Sequence, residues 1–537
     1  MLENLENPEL FFGICSPLGT NNNKVLKIIE NALTNFKYSY VGIKVTDLMK
    51  AINLEDKTLT ESPFDRRYET YIDYANGVRD LFGKEALATL GISAARSIRS
   101  DKFRDVEHAS AMGYVFDQFK RPEEIDLLRR VYGRLFVLIS VYSDSGKRIQ
   151  QITKKIAQDN GRSRPNNEDK SRAHQLAARD EAEDDIAHGQ RMRDAFALAD
   201  VFINIDDADD AEKLLRRFLS GIFGSNSISP TRAEYGMYSA KSASLRSSDL
   251  SRQVGAATFS PDGEIISMGS NEVPKAGGGT YWTGDDGDAR DHVLGHDENE
   301  SIKRSLLADI VRRLIQAGHI NRDTPEQELI STVLQEATTK GSAVRDSQIM
   351  DLLEFGRIIH AEMSAVCDAA RLGKPLKGAH LYCTTFPCHI CAKHIIASGI
   401  AKVTYIEPYP KSYTEQLHED SMIVCTGDFP DNKVQFSPFL GISPYRYREI
   451  FERGKRKNDD GSFREWTEKE PKAIMRYSKR FYLENELAVT KIFSDRQKEL
   501  AAKGIASVQA AKPVTEVSRK PSSAKQRTKP SRKQTAS

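Results

Sequence analysis

Short apolar runs at Leu10–Ile14, Tyr38–Val45, Gly113–Phe116, Leu135–Tyr142 and Asp200–Ile205 are separated by stretches long enough for helices, among them Lys24–Leu33 and Glu123–Tyr132. Strands alternating with helices predict a parallel sheet covered on both faces. Residues 1–225 are therefore expected to form a doubly wound α/β domain. The polar stretch Gln158–Asp185 reads as a mobile lid or an exposed helix.

A different pattern begins near Ser229. In Ser229-Pro-Thr-Arg-Ala-Glu234, Thr231 and Glu234 stand at capping-box spacing, which predicts a helix running to about Arg246. Val254–Phe259 and Glu264–Ser267 flank Ser260-Pro-Asp-Gly263, a turn signal joining two short strands. A polar insertion over 274–347 carries two helical patterns. After it, Leu352–Arg371 reads as helix, Ala379–Thr384 as strand, Cys388–Ser398 as helix and Lys402–Ile406 as strand. This gives a second α/β domain over 226–455, a helical extension over 456–505 and a tail over 506–537.

At 537 residues the chain is too long for one core, which agrees with that division. No apolar run reaches eighteen residues, so no membrane span is expected. The acidic start Met1-Leu-Glu-Asn has neither the basic nor the apolar region of a signal peptide. Six cysteines are too few for a disulfide scaffold, and the expected compartment is the cytoplasm. The segment Lys512–Ser537 holds eight Lys and Arg against the single acid Glu516, so the net charge of +2 conceals a mildly acidic body. Its Ser/Pro/Lys composition predicts a disordered, solvated appendage, the other reading being weak contact with RNA, DNA or a protein.

The candidate chemistry lies at His360-Ala-Glu362 and Pro387-Cys-His-Ile-Cys391, each at the start of a predicted helix. One imidazole and two thiolates from His360, Cys388 and Cys391 make a three-ligand zinc site with an open fourth position, the pattern of a catalytic centre. Zinc held there lowers the pKa of a water towards about 7. Glu362 is left over as a ligand and is expected to act as general acid and base. The competing reading is a structural zinc, with Cys367, Cys383 or His389 as the fourth ligand. Arg252, Lys275 and Lys411 are candidates for phosphate contacts. Arg290, His292 and His296 read as solvated side chains rather than as a second metal or regulatory site.

These motifs resemble the cytidine and deoxycytidylate deaminase superfamily over about Ser229–Pro410, above all its deoxycytidylate branch. Arg252-Gln-Val-Gly-Ala256 is similar to that branch's first strand, and Gly269-Ser-Asn-Glu-Val-Pro274 to its substrate loop. The resemblance implies a cytidine-deaminase-like α/β/α domain, with Asn271 on the sugar and Tyr409 against the base. Arg252 and Lys411 join them as expected substrate contacts. The wider layout resembles the bacterial anti-phage dCTP deaminases, with further matches at Arg246–Gln253, Tyr405–Ser412, Gly189-Gln190 and Arg193-Asp194. That resemblance implies conversion of dCTP or dCMP to the uracil form, depletion of deoxycytidine nucleotides as antiviral defence, and a homo-oligomer.

Phe11-Phe-Gly-Ile-Cys-Ser-Pro-Leu-Gly-Thr20 lies between a strand and a helix, the setting of a phosphate-cradling loop. Gly13, Ser16, Gly19 and Thr20 are its candidate nucleotide-binding residues. The usual Lys-Ser is replaced by Thr20-Asn-Asn-Asn, which weakens phosphoryl transfer more than nucleotide binding. A P-loop-like domain receiving a regulatory nucleotide, RNA or protein and a purely structural αβ turn both fit. For the second domain the competing functions are nucleic-acid cytosine or adenine editing and a non-catalytic, toxin-like zinc protein. The acidic body argues against the first, and Glu362 beside His360 against the second.

Overall fold

The computed structural model describes residues 7–102, 111–183, 186, 188–320, 324–409, 412–464 and 481–508. Its strands are β1 (Leu10–Cys15), β2 (Ser39–Lys44), β3 (Ile52–Leu54), β4 (Met112–Asp117), β5 (Phe136–Tyr142), β6 (Val201–Asn204), β7 (Gly255–Phe259), β8 (Ile265–Ser270), β9 (His380–Thr385), β10 (Lys402–Glu407), β11 (Met422–Val424), β12 (Val434–Pro438), β13 (Gly441–Ile442) and β14 (Ala506–Val508).

The first sheet runs β13-β6-β5-β1-β4-β2. Five of its strands are parallel, and β13 pairs antiparallel with β6. Every residue of β1 is buried, as a central parallel strand covered on both faces requires. The second sheet runs β11-β12-β10-β9-β7-β8, parallel from β11 to β9 and antiparallel at β7 and β8. The helix Arg232–Ser244 covers one face, capped by the Thr231 and Glu234 box. Its Met237 and Ala240 belong to the same apolar core as the first sheet. The opposite face carries the helices Ala361–Arg371 and His389–Ala397 over a separate core.

The two sheets are stitched together. The chain leaves β12 and pairs at once with β6, Gly441 opposite Phe202 and Ile442 opposite Val201. Glu234, fully buried, binds Arg217 at 2.7 Å and accepts from the Ile442 N–H at 2.9 Å. Buried Arg446 donates to Asp200 at 3.0 Å.

Two expectations are corrected and a third is narrowed. Residues 352–360 are not helical; Gly356 interrupts them, and Ile359 forms a backbone bridge with Glu272, so the helix starts at Ala361. Of the two readings of Gln158–Asp185, the helix is the one found. It spans Asn167–Glu181, and its Ala173, Leu176 and Ala177 pack on Ile152 and Ile156. The tail does not begin at 506, because Ala506–Val508 pairs antiparallel with β3; the rest of 506–537 lies outside the described residues. Among the described residues no helix is long and apolar enough to cross a membrane.

Candidate active site

Two helix beginnings meet at one end of the second sheet. His360 occupies the N-cap of Ala361–Arg371, and Cys388 the N-cap of His389–Ala397, directly after β9. Gly269 on β8 lets the first of these helices lie almost on the strand: a Cβ there would be 2.2 Å from the Ala361 carbonyl oxygen. Ser412 and Thr414 hydroxyls donate to the Pro387 carbonyl at 2.9 and 3.1 Å and hold the approach to Cys388.

The His360 Nδ1 lies 3.3 Å from Cys388 Sγ and 3.4 Å from Cys391 Sγ. A tetrahedron with zinc–sulfur and zinc–nitrogen bonds of about 2.3 and 2.0 Å has a sulfur–nitrogen edge of about 3.5 Å. The three donors therefore already lie near metal-binding positions, and the thiolate–imidazole set suits zinc. Among the described residues His360, Cys388 and Cys391 form the sole group of this kind. Cys367 is exposed, Cys383 lies on β9, and neither these nor His389 completes the set. The fourth position is left for water or substrate.

Sharing a hydrogen with Cys391, and bonded to His360, the Cys388 thiol is drawn down to about 4. Glu362 is the second residue of its helix and only 5% exposed. Burial, reinforced by the Cys388 charge, raises its carboxyl above the usual range. A buried carboxyl that can hold a proton beside an open metal position has the equipment of a general acid and base.

His360, Glu362 and Cys388 line a cavity of about 170 Å³, together with Asn271, Arg252 and Tyr409. The Asn271 amide is engaged within the protein: it donates to Asp249 at 2.9 Å and to the Arg252 carbonyl at 2.8 Å, and accepts from the Val254 N–H at 2.7 Å. It thus shapes the 249–254 loop. The Arg252 guanidinium lies 5.2 Å from the Tyr409 ring centre. Lys411 lies outside the described residues. Lys275 is tied to Asp285 at 2.6 Å, away from the cavity lining. Arg290 is held by Asp288, and His296 by Glu298 at 2.9 Å, so neither belongs to a metal cluster.

Among the lining residues that sequence reasoning did not single out are Arg357, Asp291, Asp297, Thr385 and Phe386. Arg357 was hidden inside the mistaken helix; the Phe355-Gly-Arg357 break was its available signal. It pairs with Asp291 of the insertion at 3.1 Å, so the insertion forms part of the cavity wall.

In the N-terminal loop the candidate residues pack and hydrogen-bond within the chain. Gly13 lies within β1, where a Cβ would press on Phe136 at 2.9 Å, a packing role. The Ser16 hydroxyl bonds Asn22 at 2.9 Å and also Gln118. Gly19 adopts φ +89°, which favours glycine, and Thr20 Oγ1 is buried without a hydrogen-bond partner. The Leu18 N–H and the Lys120 ammonium both donate to the Asp180 carboxylate at 2.8 Å. Donors that would suit a phosphate oxygen are thus filled by the chain's own acid.

The ComE operon protein 2 of Bacillus subtilis (strain 168) is 42% identical over 66 residues, 12% of this chain and 35% of that protein. The deoxycytidylate deaminase of Enterobacteria phage T2 is 50% identical over 54 residues, 10% of this chain and 29% of that protein. The chain thus spans about a third of the length of these curated relatives. The dCMP deaminase of cyanophage S-TIM5 in apo form aligns over 39% of this chain and 99% of its own, at 17% identity and a TM-score of 0.20. The family model described as the cytidine and deoxycytidylate deaminase zinc-binding region matches residues 230–407, a segment that contains the His360, Cys388 and Cys391 donors.

Proposed function

We propose that the protein is a hydrolytic deaminase of deoxycytidine nucleotides, converting dCMP, dCTP or both to the uracil form. The observation that carries this reading is the buried carboxyl of Glu362 beside the three donors His360, Cys388 and Cys391, a set that leaves a fourth metal position open. His360, Cys388 and Cys391 would hold the zinc, which supplies Lewis acidity towards a water at neutral pH. Glu362 takes the proton from that water as its oxygen adds to C4 of the cytosine. It delivers that proton to N3, then takes the proton of the new C4 hydroxyl and passes it to the amino nitrogen, so that the C4–N bond breaks, ammonia leaves and the C4 carbonyl forms. Tyr409 and Phe386 supply aromatic surface for the base, and the loop shaped by Asn271 faces the sugar. The deoxycytidylate deaminases of phages T2 and T4 among the relatives support the substrate class.

The physiological part of the proposal is depletion of the deoxycytidine nucleotide pool in a phage-infected cell. The test offers CMP, dCMP, CTP, dCTP and a cytosine oligonucleotide to the zinc-loaded protein and measures ammonia. Deoxycytidine nucleotides should be turned over, and Glu362→Gln should lower the rate by about 10²–10⁴-fold with zinc retained. Full turnover by Glu362→Gln overturns the mechanism, and preference for the oligonucleotide overturns the substrate.

A further inference from the structure

We infer that the first domain completes the substrate site, by lending basic side chains to a groove that receives the nucleotide's polyphosphate. The inference rests on the deaminase reading and adds to it which part of the protein distinguishes a triphosphate from a monophosphate or nucleoside.

The catalytic cavity, at about 170 Å³, is smaller than the roughly 300–1,000 Å³ of sites that enclose a whole small ligand. It has room for the base and part of the sugar, so a phosphate chain must leave it. The charges of its wall determine where. Asp249, Asp291 and Asp297 line it against Arg252 and Arg357, and Arg357 is already paired with Asp291. A polyanion is repelled by that acidic side and drawn past Arg252.

Arg252 also lines a second, larger groove of about 660 Å³, formed where the two domains meet. Arg129 and Arg193 of the first domain enter it from one side, and Lys241 and Arg448 from the other. Five basic residues face Asp194 and Glu407 in the lining; Arg129 also reaches Asp200 at 3.4 Å and Arg448 pairs with Glu452 at 3.1 Å, so the excess positive charge rests mainly on Arg252 and Lys241. Arg129 is fixed in place: it donates to the Leu198 carbonyl and lies 4.4 Å from the Tyr445 ring centre. Lys241 projects exposed from the helix Arg232–Ser244, with its charge felt at Glu407. A held guanidinium at Arg129 and an exposed ammonium at Lys241, in a groove that shares Arg252 with the small reactive cavity, suit a chain of phosphates attached to a nucleoside.

The test measures binding, so that it does not depend on turnover. Full-length, zinc-loaded Glu362→Gln protein is dialysed to equilibrium with dCTP, dCMP and deoxycytidine. The expected order of affinity is dCTP, then dCMP, then deoxycytidine. Adding Lys241→Ala should weaken dCTP by about tenfold, one charge-assisted hydrogen bond, and leave deoxycytidine within about twofold. Lys241→Arg should restore dCTP binding, which separates a lost contact from a damaged fold. A parent protein that holds dCTP no better than deoxycytidine overturns the inference, as does Lys241→Ala weakening all three ligands equally or none. Tight dCTP binding without ammonia release from the wild-type protein would instead overturn the deaminase reading and leave the groove standing.

Discussion

Gly269 lies against Ala361 so closely that the strand and the helix carrying Glu362 are nearly in backbone contact. A Cβ at Gly269 would stand 2.2 Å from the Ala361 carbonyl oxygen and 2.5 Å from the Ala365 nitrogen. Both are backbone atoms and cannot rotate aside. Gly269→Ala should push the helix outward, carrying His360 away from the two cysteines. The expected outcome is a stability loss of about 1–3 kcal/mol in denaturant melts. Zinc content per chain should fall with it. An unchanged zinc content and melt would show that strand and helix separate without cost.

The metal set makes a sharp distinction among the cysteines. Cys391→Ala removes one of three donors and should abolish stoichiometric zinc after dialysis, because two donors do not hold the metal against a chelator. Cys367→Ala, on the exposed side of the same region, should keep one zinc per chain. Elemental analysis of both variants checks this. Zinc loss from Cys367→Ala would revive a four-ligand structural site.

Stability of the first domain depends on its contact with the distant helix Phe481–Ala502. Arg99 is fully buried between Glu9 at 2.8 Å and Glu486 at 2.6 Å. Tyr114 and Tyr482 donate to Glu9 at 2.9 and 2.8 Å. Arg99→Met leaves two buried carboxylates without their cation and should cost about 3–5 kcal/mol. Replacing Glu9 and Glu486 by glutamine in the same chain should recover part of that loss, measured by thermal unfolding.

The sequence made the alternation of the first domain legible because its central strands are continuous apolar runs and its helices are amphipathic. The metal set was legible for another reason: ligand identity and spacing are carried by residues close along the chain, His360 with Glu362 and Cys388 with Cys391. The misread helix at 352–360 shows the limit. Its apolar residues at helical spacing were overruled by a backbone bridge from Ile359 to Glu272, a partner far away in sequence. Arg357 and Asp291 meet across the insertion, and Asp180 reaches the Leu18 amide from another helix. Such long-range pairings leave no periodic trace. The lysine and arginine groove was likewise invisible, since Arg129, Lys241 and Arg448 come from three separated segments.

The two-residue strand Gly441–Ile442 has a consequence out of proportion to its size. It closes the edge of one sheet with chain that has just left the other, so cutting the chain at 225 leaves the backbone of Gly441 and Ile442 without its partner strand. Insertion or transplantation of the zinc-bearing half into another protein would have to bring a substitute for β6, and any ligand that twists the first sheet would pull directly on the strand next to β10.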